Sequence, residues 1–367
     1  MALYSGYVDL PAIEFSTREL TGALGDSITV LPLVVALAAT TSVSLAHVFL
    51  AFGIFQIVWG LFYGMPMSLE PMKALVGLAI VGALSHPELI AAGLLTGGVL
   101  LLVGWFGLVG RLERVVGEPV VRGIQLAVAL LLLQAAFGLS LESLPVALGG
   151  VTLVALLWIG GFRNGSSLVV LGVGGAVAVS VAGFPALRLP EASFFPAGNP
   201  ALTVGALEAT VAQLGMTIGN AAIATALLAG DLYDRQLSSD RLSRSMGVTC
   251  LAAVPLGGVP MCHGSGGLAG KYAFGAKTAG ANVILGVGYL ALSLLAIGGL
   301  LAAFPLALLG VLLAIVGVEL GRAAVTPLST YRDGAIAVTV GLLGLFVNVG
   351  LAFVAGVVLW QLVVRFR

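Results

Sequence analysis

Charge is what this 367-residue chain has least of: Asp, Glu, Lys and Arg make up 9% of it, against 59% hydrophobic residues. Soluble domains carry about a quarter charged residues, so a soluble enzyme of this composition would leave too much apolar surface in water. Histidine and cysteine are scarce as well, with three and two copies. Cys250 and Cys262 have neither metal-ligand spacing nor a disulfide framework. No nucleophile–base pair or metal cluster accompanies them, and Cys262 beside His263 is too little to make an enzyme. Sixteen basic residues balance sixteen acidic ones, which leaves no electrostatic case for nucleic acid. A basic leader is missing too, since the N-terminus carries Asp9, Glu14 and Glu19 rather than a basic start, and no cleavable signal is expected.

Apolar runs dominate what remains. Residues 90–109 and 283–303 are each near 20 residues without a charge, the length that spans a bilayer core as a helix. The expected fold is an all-α polytopic membrane protein of about 14 membrane segments, with no appended soluble domain. Three segments, 69–84, 246–257 and 263–275, are too short to cross alone. With the N-terminus in the cytoplasm, Arg18, Arg111, Arg114, Arg122, Arg163, Arg235, Arg241, Arg244, Lys271, Lys277, Arg322, Arg332, Arg365 and Arg367 all fall inside. Arg188 alone falls outside and Lys73 lies within the membrane, as the positive-inside rule expects. Both termini are then cytoplasmic, and the cell membrane is the expected location.

A two-part signature occurs twice. Gly25-Asp26 precedes Gly64-Met65-Pro66-Met67, and Gly219-Asn220 precedes Gly258-Val259-Pro260-Met261; the parts are 39 residues apart in each copy and the copies are offset by 194. Such a repeat in a membrane chain points to a transporter built from two related halves. Seven segments per half is an odd number, so the halves, residues 1–190 and 191–367, are expected to insert as inverted repeats. Pro66 and Pro260 exclude helix at the second part of each signature. A short helix should therefore start inside the membrane after each extended stretch, where irregular backbone is tolerated only against protein or a cavity.

In an inverted pair the N-termini of these two short helices face each other, and their unpaired N–H groups and partial positive charge suit an anion. The first is expected to begin near Ser68-Leu69-Glu70-Pro71 and the second at Cys262-His263-Gly264-Ser265-Gly266-Gly267. Ser68 and Ser265 offer hydroxyls, and the glycines either admit a ligand to the backbone or serve helix packing. Intramembrane polar residues each demand an explanation. Asp26, Asn220, Thr29 and Thr217 either line the pathway, with sodium as a candidate ion, or cap broken helices. Glu70 and Lys73 are three apart and can meet on one helix face. Lys73 neutralises Glu70, or Glu70 couples transport to protons. His263 is a ligand or a structural residue, and Gln125 lines the pathway or packs. Glu319 is expected to pair with Arg322.

The stretch Glu19 to Asp26, the run Gly64-Met-Pro-Met-Ser-Leu-Glu-Pro-Met-Lys73, Arg122-Gly-Ile-Gln125, Asn220 to Asp231, and Pro260-Met-Cys-His-Gly-Ser-Gly-Gly-Leu-Ala-Gly-Lys-Tyr272 together resemble the motifs of the molybdate transporters related to sulfate permeases. The last run is the most specific, and the resemblance covers most of the chain. It implies uptake of the tetrahedral oxyanion molybdate, and a fold shared with nucleobase transporters. That fold is 14 segments in two inverted repeats, segments 1–4 and 8–11 forming a core and the others a gate, with homodimers among its relatives. Glu70 stands where that family usually has Gln, and Ser27-Ile28-Thr29 follows Asp26 where it usually has Gly-Thr.

The expected function is thus secondary active import of molybdate across a lipid bilayer, bound between two facing helix starts and driven by proton or sodium coupling, with no other cofactor. Sulfate or another anion carried by the same fold, and an uncoupled anion channel, are the alternatives. A nucleobase carrier would need a carboxylate on the segment that starts at 263, where there is none.

Overall fold

The computed structural model describes residues 13–296 and 299–365; Asp9 and Arg367 lie outside the described residues. The first half opens with α1 (Thr17–Thr40), started by Ser16 Oγ accepting the Glu19 N–H at 3.3 Å, a side-chain cap for an orphan donor. α2 (Leu45–Tyr63) ends at Gly64, whose φ of 63° makes the left-handed turn that a side chain would oppose. Pro66 keeps the following chain extended through β1 (Glu70–Pro71), and only then does α3 (Lys73–Ile80) begin. α4 (His86–Trp105), the short amphipathic α5 (Val109–Val116), α6 (Glu118–Leu141), α7 (Leu144–Ile159) and α8 (Ser166–Ala182) follow.

In the second half α9 (Val204–Met216) runs through a π-helical stretch, Thr217–Ala224, into α10 (Thr225–Tyr233). α11 (Ser239–Ala253), β2 (Met261–Cys262), α12 (Ser265–Ala273), α13 (Gly280–Leu295), α14 (Leu306–Val325), α15 (Tyr331–Phe346) and α16 (Val349–Arg365) complete it. Among the described residues seven helical stretches are long and apolar enough to cross a membrane, and α7, α13 and α16 are shorter apolar helices. The two short helices start later than the sequence implied, at Lys73 and Ser265, because residues 70–71 and 261–262 are strand. α11 starts earlier, its Arg241 and Arg244 lying on helix rather than before it.

Helix packing exchanges between the halves. α2 packs on α13 as α11 packs on α4; α1 packs on α12 as α9 packs on α3; α6 packs on α15 as α14 packs on α7. Two of these seams are close backbone crossings. A Cβ on Gly53 would come within 2.9 Å of the Gly286 carbonyl oxygen, and one on Gly247 within 2.7 Å of the Gly97 oxygen. Gly53 and Gly247 are 194 residues apart, and small residues at such crossings let helices approach in lipid. The interior is filled by side chains such as Leu33, Phe52, Leu75 and Tyr289, while Ile159, Phe346 and Val354 are exposed.

Candidate functional site

β1 and β2 pair antiparallel, Glu70 opposite Cys262 and Pro71 opposite Met261, and the Met72 N–H donates to the Pro260 oxygen at 2.9 Å. The proline that stops each helix thereby supplies the strand that ties the two breaks together. This sets the starts of α3 and α12 side by side. Neither end is bare. At α3 the Ala74 and Leu75 N–H groups donate to Gln213 Oε1 at 3.0 and 3.3 Å. At α12 the Gly267 N–H donates to Glu70 Oε1 at 2.8 Å, and Lys73 Nζ sits 2.6 Å from Glu70 Oε2. A carboxylate of the protein therefore already stands where an anion would be drawn, its charge balanced by a lysine at the first position of α3.

A cavity of about 460 Å³ opens beside this pair, within the range of small-molecule sites. Glu70, Lys73, Gln125, Asn220, Ser265, Gly266 and Thr29 line it. Ser265 Oγ donates to Asn220 Oδ1 at 3.0 Å, and the Gln125 oxygen is held by Arg122 at 3.1 Å. Gly266 faces open space, with nothing within 4 Å of an added Cβ. The cavity reaches the end of the molecule marked by Asn164, Phe274 and Ala323. Asn164 and Glu319 are lining residues that sequence reasoning missed. Glu319 was expected to pair with Arg322, but the ion pairs among the described residues are Lys73–Glu70, Arg122–Glu118 and Lys271–Asp26.

The other sequence-predicted residues lie behind the cavity wall. Asp26 is fully buried; Oδ1 accepts from Ser68 Oγ at 2.8 Å, and Oδ2 accepts from Gln56 at 3.2 Å and from Lys271 at 3.1 Å. Lys271, expected on the cytoplasmic face, is instead wholly enclosed, because Asp26 compensates its charge there. Thr217 accepts from Gln213 at 2.8 Å, so it steadies the cap of α3. His263 is fully buried with both ring nitrogens engaged, by Ser245 Oγ at 2.8 Å and the Ser68 oxygen at 3.1 Å, and its ring meets Trp59 and Tyr63 edge-on. Leu69, Cys262 and Gly264 are buried; a Cβ on Gly264 would strike the Glu70 carboxylate. Among the described residues no group of three or more His, Cys, Asp or Glu could hold a metal.

Relatives and solved structures agree with this architecture. Residues 18–132 and 205–320 match the family profile described as molybdate transporter of MFS superfamily. The chain is 31% identical to molybdate transporter 1 of Arabidopsis thaliana, over 94% of this chain and 88% of that one. It is 30% identical to molybdate transporter 2 of the same plant, over 84% and 79%, and 27% identical to molybdate transporter 1 of Chlamydomonas reinhardtii, over 84% and 83%. These relatives are transporters, and no enzymatic family is indicated. Despite the superfamily in that description, the fold is like that of the transmembrane domain of the cyanobacterial bicarbonate transporter BicA, with a TM-score of 0.66 at 20% identity over 93% of this chain and 98% of that one. It is also like SLC26A9, with a TM-score of 0.71 at 15% identity over 95% of this chain and 65% of that one. At such identities the likeness speaks for the fold alone. With the family profile matched over residues 18–132 and 205–320 and a molybdate transporter 31% identical over 94% of the chain, this multi-pass membrane protein belongs to the molybdate transporter family.

Proposed function

We propose that the protein is a proton-coupled importer of molybdate, working by alternating access with residues 1–190 and 191–367 as inverted repeats of seven segments each. Three observations support this architecture: the 194-residue repeat offset, the helix contacts that exchange between halves, and the antiparallel tie between the two helix breaks. α1–α4 and α9–α13 are the core, and α6–α8 with α14–α16 the gate. On the positive-inside assignment the end bearing Arg163, Lys277 and Arg322 is cytoplasmic. The cavity reaches that end, so the conformation is inward-open and both termini face the cytoplasm of the cell membrane. A homodimer through the gate is compatible with this arrangement.

One observation carries the mechanism: the Glu70 carboxylate occupies the start of α12 and holds Lys73. A tetrahedral dianion entering the cavity competes with Glu70 for the same two partners. When Glu70 takes a proton it releases Lys73 and the helix end, and the oxyanion replaces it, with Ser265, Asn220 and Gln125 as further hydrogen-bond partners. One proton then travels with each oxyanion. Moving a dianion against an inside-negative potential costs about 2.3 kcal/mol per charge per 100 mV, and the proton halves that cost.

The test is uptake of trace molybdate into proteoliposomes, with excess tungstate, sulfate or uracil as competitors and an imposed proton gradient. Competition by tungstate but not sulfate, with gradient-dependent accumulation, is the expected outcome. Competition by sulfate assigns a broader oxyanion carrier, and flux that ignores the gradient assigns an uncoupled anion channel.

A further inference from the structure

The second buried ion pair takes no part in this exchange, and its geometry is that of a cation cage. Four oxygens surround the Lys271 ammonium: Asn282 Oδ1 at 2.9 Å, the Met67 carbonyl at 3.0 Å, Asp26 Oδ2 at 3.1 Å and Gln56 Oε1 at 3.2 Å. An ammonium has three protons to donate, so more acceptors converge on it than it can satisfy with separate hydrogen bonds. A spherical ion has no such limit. Lys271, Asp26, Gln56 and Asn282 are all fully buried.

The amide oxygens are held in place by the donors beside them. Asn282 Nδ2 donates to the Gln56 and Met67 carbonyls, each at 2.8 Å. Gln56 Nε2 donates to Asp26 at 3.2 Å and to the Leu69 carbonyl at 3.3 Å. Both amides thus turn their oxygens to the centre, with the second Asp26 oxygen fixed by Ser68 at 2.8 Å. The Met67 carbonyl is free to join because Pro66 has interrupted the helix there. One carboxylate, two amide oxygens and a carbonyl from unwound backbone form the kind of hard-oxygen set that coordinates a sodium ion beside broken transporter helices.

We propose that this is a sodium-type cation site whose resident cation is the tethered ammonium of Lys271, so that transport by this chain draws on no sodium. The inference stands on the cage rather than on the identity of the transported anion. Its experiment reads cation binding directly, and so separates its failure from that of the molybdate assignment.

Shortening Lys271 empties the cage and leaves the charge of Asp26 uncompensated. Purified K271A, D26N/K271A and the native chain are heated in sodium chloride and in choline chloride of equal ionic strength, and each is assayed for saturable binding of radioactive sodium. K271A is expected to gain about 5 °C in sodium over choline and to bind the ion. The native chain and D26N/K271A are expected to do neither. A folded K271A indifferent to sodium overturns the proposal. If K271A folds in no salt, the native chain decides. Saturable sodium binding, or anion uptake that fails when choline replaces sodium, overturns the proposal; absence of both upholds it.

Discussion

Glu70→Gln isolates the exchange at the mouth of α12. The amide keeps the length of the side chain and an oxygen for the Gly267 N–H, but it carries no charge to hold Lys73. On the proposed exchange, the dianion in the native chain takes over an ammonium that sits 2.6 Å from the Glu70 carboxylate. A unit-charge pair about 4 Å apart is worth about 4 kcal/mol at an effective dielectric of about 20. The Lys73 side chain is 20% exposed, so solvent reduces that figure. We expect molybdate to bind the variant ten- to hundredfold more tightly, a gain of roughly 1.4–2.8 kcal/mol. If binding takes up a proton as proposed, native affinity falls with rising pH, while the variant has a flat profile. Transport moves the other way. Without the proton the full dianion charge crosses, which at 100 mV adds about 2.3 kcal/mol, or roughly a 50-fold loss in steady-state accumulation. Counterflow exchange at zero potential survives. The assays are equilibrium binding of radiolabelled molybdate across a pH series and proteoliposome uptake under a combined potential and proton gradient. A variant that accumulates molybdate as the native chain does, with the native pH dependence, refutes Glu70 as the coupling carboxyl.

Two other substitutions separate the cavity from the wall behind it. Gly266→Leu adds a side chain into open cavity space, so the fold should survive with its melting temperature nearly unchanged while uptake drops at least about tenfold; a fully active variant would move the substrate elsewhere. His263→Ala removes partners from Ser245 and from the Ser68 carbonyl inside a packed aromatic pocket. It should lower stability by about 2–4 kcal/mol with little change in the KM for molybdate, read by thermal unfolding and by uptake kinetics; a large rise in KM with stability intact would make the imidazole a ligand.

The repeat and its prolines made the frame legible. Pro66 and Pro260 mark where helix must stop, and both short helices begin within a few residues of the expected places. The Glu70–Lys73 contact was expected as well, but on one helix face; the structure makes it instead between strand residue Glu70 and Lys73 at the first position of α3. What escaped were partners far apart in sequence. Nothing local tells that the Glu70 carboxylate receives the Gly267 N–H, 197 residues away. Lys271 sits near the end of a short segment and so resembled a cytoplasmic flank, whereas its acceptors come from α1, α2, the stretch before β1, and α13. Gln56 and Asn282, lone amides in apolar helices, were the signal that a buried polar centre exists. His263 was left open between ligand and structural residue, because the partners that engage its two ring nitrogens, Ser245 and the Ser68 carbonyl, are 18 and 195 residues away in sequence.

The two lysine–carboxylate pairs have the same charge and opposite settings, and this divides their roles. Lys271 and Asp26 are both fully buried and held by amides from α2 and α13. Removing one charge from such a pair strands the other in the interior, at about 3–5 kcal/mol, so the pair has no low-energy state in which its partners are free. Lys73 and Glu70 instead line the cavity, the lysine with a fifth of its side chain exposed. There, on the proposed mechanism, a proton or an entering anion takes over the charge that either releases. A lysine–carboxylate pair can serve as a switch only where a substitute charge can reach it. In this fold the cavity wall, with Gly267 packed between the carboxylates of Asp26 and Glu70, separates the pair proposed to switch from the enclosed pair.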